Sequence, residues 1–185
     1  RKRTMKLIGL TGKAHSGKDT VATYLWTRYA YTRVAFGDPL KAAAQEMFAL
    51  TDDQTWNPEF KEVVIPYWGM SPRTMFQLLG TEAVQPVFGT DVWIKRWLIN
   101  YKLLCDTDHI VVPDVRREEE AENILERGGV IARIKRTGAG LSGESAKHSS
   151  ESGIPDSMVR FIIQNNSSIG ELERQVDALI EVLGE

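Results

Sequence analysis

Short apolar runs alternate with amphipathic stretches along most of the chain. The runs predict strands at 6–10, 33–36, 110–112, 130–134 and 159–163. Between them, apolar residues recur every three or four positions, which is typical of helices that bury one face. The stretch after the first run places four such residues on one face: Val21, Ala22, Leu25 and Tyr29. Strands that alternate with helices favour an α/β fold, a parallel sheet with helices on both faces.

Capping signals set the starts of several predicted helices. Asp38–Pro39 and Ser71–Pro72 each place a capping residue before a proline, which suits the first helical position. The first of these helices is expected to bury Leu40, Ala43, Ala44, Met47 and Phe48. The second continues through Met75, Leu78 and Leu79 to about Val84. Residues 51–69 have no clean period and predict a loop with a short helix.

Further helices follow in the second half of the chain. Asp91 opens one in which Trp93, Ile94, Trp97, Leu98 and Tyr101 form a stripe, with Trp97 expected in the core. Residues 118–127 are predicted helical and are stopped by Gly128–Gly129. Ser168 and Glu171 form a capping box for the last helix, whose apolar face is expected to be Leu172, Val176, Leu179, Ile180 and Leu183.

The first strand leads directly into a glycine-rich loop: Gly12-Lys13-Ala14-His15-Ser16-Gly17-Lys18-Asp19-Thr20. Strand, loop and helix in this order are the layout of a phosphate-binding P-loop. Backbone N–H groups of such a loop converge on an anion, and the helix N-terminus favours negative charge. Lys18 is expected to reach the outer phosphates. Asp19 stands where a Mg²⁺-binding Ser or Thr is usual, with Thr20 one place later.

Ligands of parallel α/β sheets lie beyond the carboxyl ends of the strands. The residues at those positions are the P-loop, Gly37–Asp38, Asp114 to Arg117, Lys135–Arg136 and Asn165–Asn166. Asp114 ends an apolar strand, so it is expected to hold Mg²⁺ or a substrate hydroxyl, or alternatively to cap the next helix. Arg116 is expected to face the site. Arg73, at a helix start, could clamp a phosphate or be a surface arginine.

Residues 137–153 contain four glycines, five serines and His148. Because Lys135, Arg136 and Lys147 supply positive charge, this segment is expected to be a lid over the phosphates. The alternative is an ordinary surface loop. His148 is not expected to bind a metal, because the chain has only three scattered histidines.

Composition bounds the class of protein. At 185 residues and 42% hydrophobic, the chain suits one domain with a full core. A net charge of −2 gives no global basic field, so no nucleic-acid partner is expected. Cys105 is the only cysteine, which fits a reducing cytoplasm. No apolar run approaches the ~20 residues of a membrane span, so no membrane partner is expected either.

Several blocks of residues together resemble the bacteriophage deoxynucleoside monophosphate kinases. They are the Gly-Lys-Asp-Thr form of the P-loop, residues 36–41, Arg73 with Gln77 and residues 80–82, residues 91–93, and residues 114–116 with Glu120. His148 with Glu151 and the turn at Asn165–Asn166 fit as well. The P-loop form is shared with phosphomevalonate kinase-like enzymes, whereas the other blocks favour the phage enzymes. The resemblance covers most of the chain.

This resemblance implies a single P-loop kinase domain over residues 1–185, with an acceptor-binding helical region at about 38–105 and a lid at about 136–155. It implies transfer of the γ-phosphoryl group of ATP, with Mg²⁺, to a 2′-deoxynucleoside 5′-monophosphate (dNMP). Nucleotide binding would involve residues 12–20 and Asn166, with metal at Asp19 and Asp114. The residues implied for phosphoryl transfer are Lys18, Arg73, Arg116 and Arg136. Those implied for the acceptor are Asp38, Lys41, Arg73, Gln77, Trp93, Asp114, Arg116 and Glu151.

Two alternatives stay open at this point. One is another small-molecule kinase, of the phosphomevalonate or dephospho-coenzyme A type. The other is a nucleotide-binding switch, which is disfavoured because the chain lacks an Asn/Thr-Lys-x-Asp motif and an Asp-x-x-Gly motif. A homodimer is compatible with the sequence, and the location is expected to be the cytoplasm, that of the host cell for a phage enzyme.

Overall fold

A computed structural model describes residues 6–105, 109–140 and 153–184. The strands are β1 (Leu7–Thr11), β2 (Tyr31–Arg33), β3 (His109–Val112), β4 (Val130–Lys135) and β5 (Phe161–Gln164). The helices are α1 (Lys18–Tyr29), α2 (Asp38–Phe48), α3 (Asp52–Trp56), α4 (Pro72–Gln77), α5 (Gln85–Phe88), α6 (Val92–Leu104), α7 (Glu118–Leu125) and α8 (Ile169–Val182). A π-helix, Leu78–Val84, follows α4, and a 3-10 helix, Asp156–Met158, precedes β5.

The described chain divides into two compact units. The first comprises residues 1–35 and 97–185, and the second comprises residues 36–96. Each is described below by itself. Among the described residues, no helix is long and apolar enough to cross a membrane.

The first unit is a five-stranded parallel sheet in the order β2-β3-β1-β4-β5. Successive strand residues point to opposite faces. Ile8 and Leu10 pack with Val21 and Leu25 of α1, in a cluster that also includes the buried face of α8. On the other face, a Cβ at Gly9 would lie 2.8 Å from Ile124 of α7. Helices therefore cover both faces, and the predicted α/β fold is confirmed.

The second unit is helical. Ser71 caps α4 by accepting a hydrogen bond from the Thr74 N–H (3.3 Å), as its sequence predicts. Thr51 caps α3 in a capping box, which lies in the segment predicted as a loop with a short helix. In α2, Ala44 is buried and Leu40 lies against Gly80.

Several element boundaries and buried helix faces that the sequence predicts are wrong. The apolar run at 33–36 was expected to be the second strand, but β2 ends at Arg33, and Val34 to Phe36 are buried beyond the ladder. Val34 to Phe36 are therefore apolar because they are buried, and not because they pair in the sheet. Asp38 does not cap α2: Gly37 takes that position, and the Asp38 carboxylate lies 3.6 Å from the Lys41 ammonium one turn along.

Two predicted helix faces need correction. Ala43 and Met47 of α2 are exposed, Met47 to 64%, so the face that packs is the narrower row with a spacing of four residues. Leu78 is 43% exposed because the π-helix begins there. The wider turn of a π-helix rotates side chains away from the positions that a 3.6-residue period predicts.

Candidate active site

The loop between β1 and α1 has the backbone of a phosphate-binding loop. Gly12, His15 and Gly17 have φ values of 142°, 61° and 104°. A Cβ at Gly12 would lie 2.4 Å from the Ile134 carbonyl oxygen, so only glycine fits there. Gly17 precedes α1 and gives it no side-chain cap. The start of a helix without a side-chain cap favours an anion.

Two side chains in the loop are suited to hold phosphate. The Lys18 ammonium donates to the carbonyl oxygens of Gly12 (2.7 Å) and Lys13 (2.8 Å), so it lies over the loop that precedes it. The Ser16 hydroxyl is buried and has no hydrogen-bond partner among the described residues. A buried hydroxyl without a partner is costly unless a ligand supplies one. The loop therefore fits the phosphate groups of a nucleotide.

A cavity of about 580 Å³ opens beside this loop in the first unit. It brings together six of the predicted site residues, Gly12, Lys13, Ser16, Arg116, Arg136 and Asn166, and it also includes Lys135. The other walls come from the ends of β4 and β5 and from residues 153–154. The carboxyl ends of the parallel strands thus surround the cavity, as the sheet rule requires.

Arg133 also lines this cavity, although no sequence pattern pointed to it. Its guanidinium pairs with Asp156 and donates to the Ile154 carbonyl oxygen (2.6 Å). These contacts tie β4 to the segment before β5. Arg133 therefore shapes the wall of the cavity.

Asp19 and Thr20 do not line the cavity beside the phosphate loop. Both line a second cavity of about 420 Å³, beside Tyr24 and residues of α8. The Tyr24 and Tyr29 hydroxyls both donate to Asp177 Oδ1, at 2.9 and 2.6 Å, and thereby join α1 to α8. The hydrogen bond to Asp177 raises the pKa of Tyr29 to about 12. Asp19 is exposed at the first turn of α1.

The end of β3 carries Asp114 and Arg116, and a buried carboxylate supports the chain there. Glu120 Oε2 accepts hydrogen bonds from the backbone N–H groups of Arg116 (2.8 Å) and Arg117 (3.1 Å). Burial raises the pKa of Glu120 to about 7, and the nearby Asp114 charge acts in the same direction. Glu120 therefore fixes the backbone from which the Arg116 side chain extends.

In the second unit, Arg73 is held by an acidic neighbour. Its Nε pairs with a Glu62 carboxylate oxygen, and its backbone N–H donates to the Lys61 carbonyl oxygen (3.0 Å). A guanidinium has five N–H donors, so the contact at Nε leaves both terminal nitrogens able to meet a phosphate. The sequence does not point to Glu62, because this residue lies in the segment 51–69, which has no clean period.

The other residues predicted for the acceptor also have defined contacts. The Lys41 ammonium lies 5.5 Å from the centre of the Trp56 ring, in addition to its pairing with Asp38. The Trp93 indole donates to the Gly80 carbonyl oxygen at 3.1 Å, joining α6 to the π-helix. Gln77 is the last residue of α4. Glu151 and most of the predicted lid at 136–155 lie outside the described residues.

The site also contains a contact that was not predicted. Asn165, the first residue after β5, donates from its side-chain amide to the Ser16 carbonyl oxygen (2.8 Å). Its position after a strand is the one sequence signal that pointed to it.

The described residues contain no group of three His, Cys, Asp or Glu side chains that could hold a metal. Mg²⁺ in phosphoryl-transfer sites is usually bound by one or two carboxylates together with substrate phosphates. Asp19 and Asp114 have carboxylates of this kind, but Asp19 lines the second cavity, and neither residue lines the cavity beside the phosphate loop.

Comparison with solved structures shows that the fold of the chain is similar to the folds of several kinases. A dephospho-CoA kinase from Campylobacter jejuni aligns over 96% of both chains with a TM-score of 0.53 and 15% identity. A gluconokinase from Sinorhizobium meliloti covers 98% of this chain and aligns over 94% of its own, with a TM-score of 0.51 and 15% identity. At these identities the likeness shows the fold, and the predicted P-loop kinase type of sheet is confirmed.

Sequence comparison is more specific. The family model described as deoxynucleotide monophosphate kinase matches residues 61–176. A relative from Acanthamoeba polyphaga mimivirus, which carries the same name provisionally, is 32% identical over 96% of this chain and 97% of its own. The deoxynucleotide monophosphate kinase of Enterobacteria phage T4 is 23% identical over 97% of this chain and 100% of its own. The chain is therefore a kinase, and it belongs to the deoxynucleotide monophosphate kinase family.

Proposed function

We propose that the protein transfers the γ-phosphoryl group of ATP to a 2′-deoxynucleoside 5′-monophosphate, giving the diphosphate. The observation that carries the proposal is the cavity of the first unit, which a phosphate loop and two predicted arginines, Arg116 and Arg136, border together. Membership of the family supports the same reaction.

The donor phosphates would bind the loop. Lys18 would leave the carbonyl oxygens that it now contacts and hold the β- and γ-phosphates, while the N–H groups of residues 12–17 and the Ser16 hydroxyl donate to the same groups. Arg136, at the end of β4, would neutralise charge that develops on the transferred group. Asn166 borders the cavity and would contact the nucleotide.

Mg²⁺, when bound, would neutralise charge shared by the donor phosphates. Asp19 and Thr20 at the start of α1 and Asp114 at the end of β3 would hold it. We expect Asp19→Ala to raise the Mg²⁺ concentration needed for half-maximal activity sharply and Asp19→Ser to keep part of the activity, because an oxygen ligand of either kind suits a hard cation. An unchanged Mg²⁺ titration in Asp19→Ala would limit Asp19 to starting the helix.

The acceptor phosphate would be held by Arg73 and Arg116, since two guanidinium groups match its charge and geometry. Asp38 and Lys41 would line the acceptor position, and Gln77 and Trp93 would frame the base. Glu151 stays a prediction for the same substrate. No general base is needed, because the attacking phosphate oxygen is already ionised at neutral pH. Catalysis then consists of in-line positioning and charge neutralisation.

A panel of acceptors tests this function. Purified protein, ATP and Mg²⁺ would be assayed for ADP formation with dGMP, dTMP, dCMP and dAMP, and with phosphomevalonate and dephospho-coenzyme A for comparison. We expect turnover with one or more of the deoxynucleotides. Turnover with either comparison acceptor alone would assign the enzyme to another class of small-molecule kinase.

Two further proposals concern the location and the partners of the enzyme. We propose a cytoplasmic location, in keeping with viral and phage relatives. We also propose that nucleic acid is not a partner, since the net charge is −2. Sedimentation at enzyme concentrations used in the assay would test whether the protein forms a homodimer.

A further inference from the structure

Two adjacent asparagines follow β5, and their side chains bond in opposite senses. Asn165 Nδ2 donates to the Ser16 carbonyl oxygen at 2.8 Å. Asn166 Oδ1 accepts from the Thr137 backbone N–H at 2.7 Å. The first contact reaches the phosphate loop, and the second reaches the residue directly after Arg136. One turn therefore contacts two walls of the cavity.

The Asn165 contact depends on the glycine beside it. A Cβ at Gly17 would lie 2.3 Å from Asn165 Nδ2, so the amide occupies space that a side chain would need. Gly17 also has a φ of 104°, which favours glycine. The backbone of Asn165 is itself fixed, because its N–H donates to the Lys135 carbonyl oxygen at 2.7 Å. The amide is thus held in place by the sheet and fitted closely to the loop.

This contact orients a peptide unit that can bind phosphate. In a planar trans peptide, the carbonyl and the N–H of the next residue point in opposite directions. Because Asn165 holds the Ser16 carbonyl, it also sets the direction of the Gly17 N–H. The N–H groups of a P-loop are the groups that cradle phosphate. Asn165 can therefore tune nucleotide binding without touching the nucleotide.

We propose that the turn at Asn165–Asn166 positions both walls of the nucleotide site. Asn165 is a positioning residue that acts as a donor and sets the Ser16–Gly17 peptide. Asn166 acts as an acceptor and sets the Arg136–Thr137 peptide, in addition to its expected contact with the nucleotide. The proposal rests on the ATP-binding part of the proposed function and needs nothing from the acceptor side.

Substitution by aspartate separates the two roles. Aspartate keeps the shape of asparagine and can accept hydrogen bonds, but when ionised it cannot donate them. We expect Asn165→Asp to weaken ATP binding more than Asn165→Ala, because it turns a carboxylate toward a carbonyl oxygen and the phosphates. At the next position the order reverses: Asn166→Asp keeps its acceptor and binds ATP more tightly than Asn166→Ala.

The expected changes in the Kd for ATP follow from the loss of a single hydrogen bond. Loss of one such bond is worth about 0.5–1.5 kcal/mol, so Asn165→Ala should raise the Kd for ATP by about 2- to 12-fold. Asn165→Asp should exceed that change. The KM for the acceptor should stay within about twofold, since the contact lies on the donor side.

Gln175→Ala is a matched control. Gln175 also joins the end of β5 by side-chain amide contacts, accepting from the Gln164 N–H (2.8 Å) and donating to the Gln164 carbonyl oxygen (2.9 Å). It supports α8 and does not line the cavity beside the phosphate loop. We expect this variant to lose stability like Asn165→Ala while its Kd for ATP stays at the wild-type value.

The experiment measures ATP binding by calorimetry for the wild type and the five variants, together with thermal unfolding and both KM values. Three results together support the proposal. Asn165→Asp binds ATP more weakly than Asn165→Ala, Asn166→Asp binds it more tightly than Asn166→Ala, and Gln175→Ala has the wild-type Kd for ATP. Equal Kd values for Asn165→Ala and Gln175→Ala, or Asn165→Asp binding like the wild type, overturn it. If Asn165→Asp does not fold, Asn165→Ala against Gln175→Ala decides the same point. Because binding is read without turnover, a wild type that binds ATP but phosphorylates no dNMP would refute the proposed function and leave this test intact.

Discussion

The two units, to which we assign the donor site and part of the acceptor site in our proposal, hold their charged groups in different ways. In the first unit, two charged side chains near the phosphate loop and the end of β3 bond to backbone atoms: Lys18 to two carbonyl oxygens and Glu120 to two N–H groups. In the second unit, Arg73 and Lys41 are held mainly by other side chains, Glu62 and Asp38. The Glu62 side chain is 43% exposed and that of Arg73 is 14% exposed.

This difference has a consequence for recognition. Backbone groups keep their place when neighbouring side chains change, so they suit a donor that is always a triphosphate. A pair of side chains can separate when a phosphate competes for the guanidinium. We therefore expect variants at the phosphate loop and at Glu120 to act on catalysis or stability, and variants at Arg73 in the second unit to act on acceptor binding.

The largest expected effect is that of Lys18→Ala. Its ammonium donates to two carbonyl oxygens of the loop, and Lys18 is not part of the buried core cluster. Loss of one preorganised charge on the transferred phosphate should lower kcat by about 10²-fold or more, with unfolding unchanged. Steady-state kinetics and thermal unfolding would measure this, with Lys95→Ala, an exposed lysine of α6, as the control. Near-normal turnover by folded Lys18→Ala would remove the loop from the mechanism.

Glu120→Gln tests the backbone support at the end of β3. Because burial raises the pKa of Glu120 to about 7, the unfolded chain, with a pKa near 4.5, releases this proton first as pH rises. The free energy of unfolding of the wild type should fall between pH 4.5 and 7, by up to about 3 kcal/mol. The neutral amide removes this fall and makes the variant more stable than the wild type above pH 7.

Denaturant unfolding at pH values from 4 to 8 would measure the Glu120 effect. Glu118→Gln, at an exposed position in the first turn of α7, is the control and should follow the wild-type profile. If Glu120→Gln also follows that profile, the carboxylate does not titrate as its burial requires.

Arg73→Lys and Arg116→Lys test the acceptor phosphate. A lysine keeps the charge but loses the fork of donors that suits phosphate. Each change should weaken dNMP binding by roughly 1.5–3 kcal/mol, about one to two decades, and ATP binding much less. The two KM values, checked by direct binding, would decide, with Arg174→Lys, at an exposed position of α8, as the control. Equal losses for both ligands, or none for either, would show that these arginines do not form the acceptor site.

The same contrast between regions explains what the sequence could predict. Strand runs such as Ile110 to Val112 are apolar because both faces of a parallel sheet are covered, so four strands and the phosphate loop were predicted, whereas the run at 33–36 overlaps β2 only at Arg33. Contacts such as Glu62 with Arg73 and Asn165 with Ser16 join residues distant in the chain or in irregular segments. No local period records them, and only the folded arrangement shows which side chains meet.

Errors in the helices have a related cause. The exposed position of Leu78 follows from a π-helix, which has no signature in a 3.6-residue period. Ser71 was predicted correctly because a cap depends on four consecutive residues alone. Local chemistry was thus predictable in both units, whereas the arrangement of the acceptor residues was not.

The smallest expected effect compares two serine caps, one in each unit. Ser71 accepts from the Thr74 N–H and Ser168 accepts from the Glu171 N–H, both at 3.3 Å. Either Ser→Ala change should cost about 1 kcal/mol of stability, because one N–H at the helix start loses its acceptor. Only Ser71→Ala frays the first turn that carries Arg73, so only it should raise the KM for dNMP, by about two- to fivefold, with the KM for ATP unchanged. Unfolding curves and the two KM values would measure both effects. A dNMP response to Ser168→Ala as large as that to Ser71→Ala would mean that stability alone controls acceptor binding, and the contrast between the two regions would lose its functional meaning.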